Sequence, residues 1–472
     1  MKKAIPDHGI SFGTDGWRAI IADGFTVPRV HIVAQAFSDW LKTVARPGAK
    51  VLIGYDGRFA GERFALALAR VVAGNGFKPD VVTSPAPTPA VSWWILKRKY
   101  SAGMMVTASH NPAAYSGIKI KPYYGGSPDD TEIGPIEDRL GAVRPKMGEI
   151  GAVRRVSFLD EYVAVMRKCI DIKSFKRLKG VVVSDPMGGA SAGMLARALK
   201  GTKLDIVAIH DRIDPMFCGL SAPEPVAKNL GELARMVRCT RAMLGIATDG
   251  DGDRVGIVSN DGEFLTPHRV FALLLLFMVR FRKESGSVVK TVSGSFLIDR
   301  IARAHNLTLH ETPVGFKYIC KLMRTEEILI GGEESGGVGF KGFLPERDGL
   351  LSGLLFLELL AKSGKSCKEL VAGLEKEFGK SHYSRIDAHH ETASASLRHL
   401  IASPPARLAG ERVARVNSKD GLKLIFPDDS WVLFRASGTE PLLRVYAESV
   451  DKGRTRKLLV AGAALAGVKG KV

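Results

Sequence analysis

A chain of 472 residues and 50.9 kDa is too long for one hydrophobic core and implies about three or four domains at roughly 100–200 residues each. Hydrophobic residues make up 45% and charged residues 25%, the globular average, which excludes disordered, collagenous and coiled-coil chains. The net charge of +19 admits a nucleic-acid or membrane-surface partner, an anionic small substrate, or a basic background.

The excess charge is spread along the chain without a basic tail, and no RNA-binding or zinc-finger signature occurs. Both points argue against a nucleic-acid arm. The start, Met1-Lys2-Lys3, lacks the apolar core of a signal peptide. Lys50–Gly54 is strand-like and runs into Tyr55-Asp56-Gly57-Arg58, with a helical stretch from Glu62. Val81–Thr83 leads into the proline-rich Ser84–Pro89, and Ala102–Val106 ends at Thr107-Ala108-Ser109. A linker is expected near Gly125–Glu149. Strands recur at Gly180–Ser184, Leu204–Ile209, Leu244–Thr248 and Val288–Val292, the alternating grammar of α/β layers. The first three quarters share this grammar without a strict internal repeat. Val270–Val279, between Arg269 and Arg280, is about half the length needed to span a bilayer and predicts a buried helix. A second linker is expected near Gly364–Gly379. The last quarter packs strands closely, at Val413–Val416, Leu422–Phe426, Trp431–Phe434 and Leu442–Ala447, as an α+β unit would. Cys169, Cys218, Cys239, Cys320 and Cys367 contain no CxxC and suit a reducing compartment. The expectation is a soluble, cytoplasmic protein.

Four segments carry chemistry. In Thr107-Ala108-Ser109-His110-Asn111-Pro112 a serine sits at the end of a strand, either as a nucleophilic or phosphorylated residue in an exposed loop or as an ordinary polar turn. Asp249-Gly250-Asp251-Gly252-Asp253-Arg254 places three carboxylates at alternate positions, able to converge on one hard cation such as Mg²⁺. An EF-hand fails here, because its sixth position is Arg254 and its twelfth Asn260. Gly331-Gly332-Glu333-Glu334-Ser335-Gly336-Gly337 offers carboxylates and a hydroxyl suited to sugar hydroxyls, or is a flexible turn. The overlapping Gly337-Val338-Gly339-Phe340-Lys341-Gly342 matches GxGxxG but runs into Phe343-Leu344-Pro345 rather than a helix, so no dinucleotide site is expected. Arg435-Ala436-Ser437-Gly438-Thr439-Glu440-Pro441 could cradle a phosphate or be a plain hairpin turn.

In this order, and with Phe12-Gly13-Thr14-Asp15-Gly16-Trp17-Arg18 and Gly117-Ile118-Lys119-Ile120, these segments resemble the α-D-phosphohexomutase family, which includes phosphoglucomutases and phosphomannomutases. The resemblance runs from Phe12 to about Glu448. It implies an α/β fold of three α/β/α domains with mixed sheets and a smaller C-terminal α+β domain around a central cleft, divided at 1–150, 151–255, 256–370 and 371–472. It implies a phosphoryl group on Ser109, and one Mg²⁺ per chain held by Ser109, Asp249, Asp251 and Asp253. Arg18 and Arg254 would add positive charge, His110 would support the loop, and Lys119 would be the general acid/base, its pKa lowered by neighbouring cations. Glu333 and Ser335 would bind sugar hydroxyls, and Arg435, Ser437, Gly438 and Thr439 the non-transferring phosphate.

The expected activity is the interconversion of hexose 1-phosphate and hexose 6-phosphate through a phosphoserine enzyme and a 1,6-bisphosphate, which also serves as activator. The fourth domain would close as a lid. Gly337 and Phe316 stand where mannose-type members often carry histidines, which favours glucose, with phosphomannomutase or phosphoglucosamine mutase as the alternatives. The implied partners are small sugar phosphates, with no nucleic acid and no membrane, in a monomer or weak dimer. A Mg²⁺-dependent phosphatase and a basic nucleic-acid-binding protein are the readings from other classes.

Overall fold

Four sheets and a two-stranded ribbon follow one another in the computed structural model, which describes residues 9–467 other than 14, 150, 152, 390–392 and 437–441. The first sheet contains β1 (Trp17–Ile20), β2 (Lys50–Tyr55), β3 (Lys78–Val82), β4 (Ala102–Val106), β5 (Tyr115–Pro122) and β6 (Arg154–Val156), in the order β1-β5-β4-β2-β3-β6. The second contains β7 (Gly180–Asp185), β8 (Leu204–Ala208), β9 (Leu244–Thr248), β10 (Val255–Ser259) and β11 (Phe264–Leu265), ordered β11-β10-β9-β7-β8. The third is β13-β12-β14-β15, built from β12 (Ser287–Thr291), β13 (Leu309–Thr312), β14 (Ile328–Gly332) and β15 (Val338–Phe340). The first and second sheets thus reach past residues 150 and 255, where divisions are expected from the sequence.

One four-strand pattern recurs in all three sheets. β2 lies parallel to β3 and β4, and β4 turns back into antiparallel β5. β7, β8, β9 and β10 repeat this arrangement, as do β12, β13, β14 and β15. The shared grammar of the sequence is therefore a threefold repeat of topology. In each unit the loop from the third parallel strand into the antiparallel one is a segment in which the sequence places candidate site residues: 107–114, 249–254 and 333–337. β4, β9 and β14 are buried along their whole length, which is why they read as continuous apolar runs.

The fourth sheet is antiparallel, β16 (His382–His389), β22 (Leu442–Ser449), β21 (Trp431–Ala436), β20 (Leu422–Ile425) and β19 (Arg415–Asn417) in spatial order, with a ribbon of β17 (Arg407–Leu408) and β18 (Glu411–Arg412) beside it. Helices Ala393–Ala402 and Lys452–Leu465 flank it.

Both expected linkers are corrected by helices. Gly364 does end one helix, but Cys367–Phe378 is helical, started by a capping box in which Ser366 and Glu369 satisfy each other's backbone amides. It buries Cys367, Leu374 and Phe378. Asp130–Glu137 is likewise helical, capped by Asp129 and Glu132. The apolar run 270–279 lies in the buried helix Pro267–Arg280, and Gly337–Gly342 forms β15 and a turn, with no helix after it before Gly349. No helix among the described residues is long and apolar enough to cross a membrane.

A buried carboxylate fastens the fourth unit to the third. Glu448, on β22, accepts from Ser295 Oγ, from the Phe296 amide at 2.9 Å, from Trp431 Nε1 at 2.7 Å and from Ser381 Oγ at 2.5 Å. Hydrogen bonds to a buried charge are worth more than neutral ones. Glu448→Gln turns an amide NH₂ toward donors, so it is expected to cost about 2–3 kcal/mol, read as a lower denaturation midpoint with the serine loop still assembled.

Candidate active site

Ser109 sits in the left-handed backbone region, at φ 52°, a conformation that must be imposed by its surroundings. The Ser109 amide donates to Thr107 Oγ1 at 2.8 Å, and that hydroxyl donates to Asp56 Oδ2 at 2.6 Å. Arg58, from the loop after β2, donates to four carbonyls of the serine loop: Ser109 at 2.6 Å, Asn111 at 2.7 Å, and Pro112 and Tyr115 at 2.8 Å. Arg58 and Asp56 form a fully buried pair, 3.2 Å apart. Burial pushes the Asp56 carboxyl up to about 6 even against the pull of Arg58. This scaffold leaves Ser109 1% exposed. The loop is exposed at Pro112 and Ala114 but the serine itself is not, and Ser109 Oγ donates to Asp249 Oδ2 of the second unit at 2.9 Å.

The alternating carboxylates do converge. Oxygens of Asp249, Asp251 and Asp253 lie within 4.8 Å of one another, all buried. Asp251 Oδ1 and Asp253 Oδ1 have no hydrogen-bond partner. Buried, unpartnered hard oxygens are the donor set that Mg²⁺ takes, so the residues fit that ion. Burial first, then the charges of Asp253 and Asp251, push the Asp249 carboxyl well above its usual range. For Asp251 burial acts in the same sense, but Lys119 and a 2.6 Å bond from Thr88 Oγ1 outweigh it and hold the carboxyl low.

Lys119, on β5 and 2% exposed, points its ammonium at Asp15, Asp251 and Asp253, each at 2.9 Å. Burial disfavours the charge, yet the three carboxylates outweigh it and push the lysine pKa up. This reverses the expectation of a lysine lowered by neighbouring cations: the groups in contact with it are acids.

Arg18 donates to Asn111 Oδ1 at 2.6 Å, bracing the serine loop from β1. Arg254 lies 3.9 Å from both Asp249 and Asp253 and 3.3 Å from Glu224. His110 Nδ1 is 3.4 Å from Ser109 Oγ. Burial, followed by the charges of Arg254 and Arg18, holds its imidazole neutral, well below the usual histidine pKa.

Glu333 is buried and its carboxyl raised by that burial, with Arg347 opposing. Ser335 is half-buried. Arg435 is drawn to Asp420, 2.8 Å away, while Arg385 of β16 reaches Glu334 at 3.5 Å, so the fourth unit faces the 333–337 loop. Ser437, Gly438 and Thr439 lie outside the described residues.

Arg347 is the residue that motif reasoning misses. Its guanidinium reaches Asp15 and Asp253 at 2.8 Å, Glu333 at 3.2 Å and Glu346 at 3.5 Å, joining three units at one point. Burial works against its charge, but the surrounding carboxylates raise its pKa well above the arginine value. It also fills the 333–337 loop: a Cβ on Gly337 would stand 2.2 Å from Arg347 Cδ. Arg347 thus takes the space a histidine at 337 would need, and its guanidinium sits 5.3 Å from the Phe316 ring. Only the run Pro345-Glu346-Arg347-Asp348 hints at it in sequence, as charge ahead of a helix.

Gly250 lets the serine loop and the 249–254 loop touch, since a Cβ there would meet the Ser109 carbonyl at 2.7 Å. Gly250→Ala is expected to separate the two loops and cut kcat by about 10²-fold with little change in thermal midpoint, measured by a coupled assay beside a melt.

Known proteins resemble this chain over nearly its whole length. The chain matches the phosphoglucomutase/phosphomannomutase alpha/beta/alpha domain I at residues 9–146, domain II at 160–262, domain III at 266–378 and the C-terminal domain at 400–464. A phosphoglucomutase/phosphomannomutase of Thermococcus kodakarensis is 32% identical over 458 residues, covering 96% of this chain and 98% of the relative. A phosphoglucosamine/phosphogalactosamine mutase of Sulfurisphaera tokodaii is 30% identical over 463 residues, with 96% and 98% covered. A crystal structure from Thermus thermophilus, carrying a provisional phosphomannomutase name, superposes with a TM-score of 0.86 at 35% identity, over 97% of this chain and 99% of that one. These names span several sugars and do not single out glucose.

Proposed function

The chain belongs to the phosphoglucomutase/phosphomannomutase family of isomerase-type phosphotransferases, and from that membership we propose that it interconverts hexose 1-phosphates and 6-phosphates of glucose and mannose through a phosphoserine at Ser109. The observation that carries this reading is the 2.9 Å contact of Ser109 Oγ with the buried Asp249, Asp251, Asp253 cluster, opposite the Glu333–Arg347 pair.

Phosphoryl transfer asks a protein for positioning and for charge opposite the moving oxygens. Asp249, Asp251 and Asp253 would hold Mg²⁺, which supplies charge neutralisation on those oxygens when bound. Arg58 and Arg18 fix the serine loop, so Oγ keeps one direction through donation and return. Ser109 Oγ gives up its proton toward Asp249, to which it is hydrogen-bonded, as the serine accepts a phosphoryl group from the hexose 1,6-bisphosphate, while neutral His110 packs 3.4 Å from Oγ and supports the loop. Lys119 holds its proton among carboxylates, and its part is that of acid and positive charge rather than of resting base. Glu333, kept in place by Arg347, accepts from sugar hydroxyls. Arg435 stands ready for the distal phosphate. With Arg347 in the place of a histidine side chain at 337, the loop offers no obvious discrimination between glucose and its C2 epimer.

The test is a coupled assay with glucose, mannose and glucosamine 1-phosphates in parallel, with Mg²⁺ and a hexose 1,6-bisphosphate. Isomerised glucose and mannose phosphates are expected at comparable rates. Release of inorganic phosphate without isomerised sugar would instead point to a phosphatase. Chelation with EDTA is expected to remove activity, and added Mg²⁺ to restore it. The fold should survive chelation, because the Lys119 and Arg347 charges already offset the carboxylates; circular dichroism and a thermal melt check this.

A further inference from the structure

A cavity of about 890 Å³ opens at the seam between the second and third units, away from the serine site. The helix Gly349–Ser363 separates the two. Its first residue donates to the Gly252 carbonyl at 3.0 Å, and its last turn lines the cavity. Fifteen residues at 1.5 Å each put roughly 22 Å between them.

The floor is apolar, with Leu178, Met243 and Ala361. The walls gather Arg177, Arg238, Arg241 and Lys365, and none of these four makes an ion pair among the described residues. The other charges there are already matched: Lys362 lies 3.2 Å from Glu358 and 3.4 Å from Asp171, and Asp261 lies 3.6 Å from Lys368. Four unmatched cations around one concavity repel each other and focus a positive potential into it. Guanidinium groups suit phosphate oxygens in paired hydrogen bonds. The volume is that of a small-molecule pocket, and an apolar floor beneath polar walls is how such pockets hold a ring system.

We propose that this cavity binds a small organic phosphate with at least two negative charges on an aromatic or apolar body, a nucleoside diphosphate in type. The cations take the phosphates, and the Leu178–Met243 floor takes the base. This inference is independent of which sugar the enzyme isomerises.

Equilibrium dialysis of labelled ADP against the full chain tests it, with glucose 1-phosphate in excess so that the catalytic cleft is occupied. One ADP per chain is expected. Arg238→Glu/Arg241→Glu should weaken it at least about tenfold with wild-type melting and wild-type mutase rate. Lys365→Glu, on a separate element, gives an independent check if the double variant folds poorly. Pyrophosphate and adenosine should each bind more weakly than ADP. Absence of ADP binding, its displacement by glucose 1-phosphate, or undiminished binding to both charge-reversed variants would overturn the site. Pyrophosphate binding as tightly as ADP would overturn the role given to the floor.

Discussion

Ser109→Ala is expected to lower mutase turnover by at least about 10⁴-fold while the protein melts close to wild type. The nucleophile is lost outright, and the neighbouring hydroxyl does not replace it, since Thr107 Oγ1 is committed to Asp56. The loop itself should persist, because Arg58 grips it by backbone carbonyls and not by the serine side chain. What the fold loses is the single bond to Asp249, worth about 1 kcal/mol. Mass spectrometry of intact protein after incubation with hexose 1,6-bisphosphate gives a second readout. The wild type should gain one phosphoryl group, and the variant none. Near-normal turnover in Ser109→Ala, or phosphorylation at another residue in the wild type, would defeat the assignment.

The contrast between Ser109 and Arg58 shows what the sequence can carry. The three chemical loops are legible because each packs reactive polar groups into six or so residues directly after an apolar strand: hydroxyls with His and Asn at 107–112, carboxylates with glycines at 249–254, and carboxylates, a hydroxyl and glycines at 331–337. Their equivalence is not, since topology and not residue identity repeats among β4–β5, β9–β10 and β14–β15. Arg58 reads as the end of a turn, as its partners lie 51 to 57 positions away. The motif places Lys119 in the site but points to the wrong charge balance. Arg18 and Arg254, the cations expected around it, lie in distant segments, and folding brings Asp15, Asp251 and Asp253 from those same segments onto its ammonium. The expected linker 364–379 fails for a local reason: Gly364 is a genuine helix stop, but Ser366 and Glu369 restart a helix two residues later.

Arg347 is the extreme case of that long-range effect, and its removal is the second large change. Arg347→Met keeps the length of the side chain and deletes the fork that joins Asp15, Asp253, Glu333 and Glu346. Breaking a buried ion pair from one side costs about 3–5 kcal/mol, because the abandoned partner stays buried and charged. Lys119 would then face the acids alone, and Glu333 would lose the cation that opposes its burial. The pH dependence separates this account from a plain packing loss. Glu333 is already raised above its unfolded value by burial, with Arg347 pulling it down. A raised carboxyl binds its proton more tightly in the folded chain, so stability falls as pH rises from the unfolded pKa through the folded one. Without Arg347 that window extends upward. The melting deficit of Arg347→Met should therefore shrink as pH falls and more of Glu333 is protonated, and grow as pH rises, whereas a packing defect would not depend on pH. Turnover should fall by about 10²–10³-fold, since the sugar loop and the carboxylate cluster lose their common anchor. Arg347→Lys restores the charge without the two-sided geometry, so it should recover much of the stability and little of the rate. If it recovers both equally, Arg347 acts only as a charge, and its place between Asp253 and Glu333 is not what orients the site.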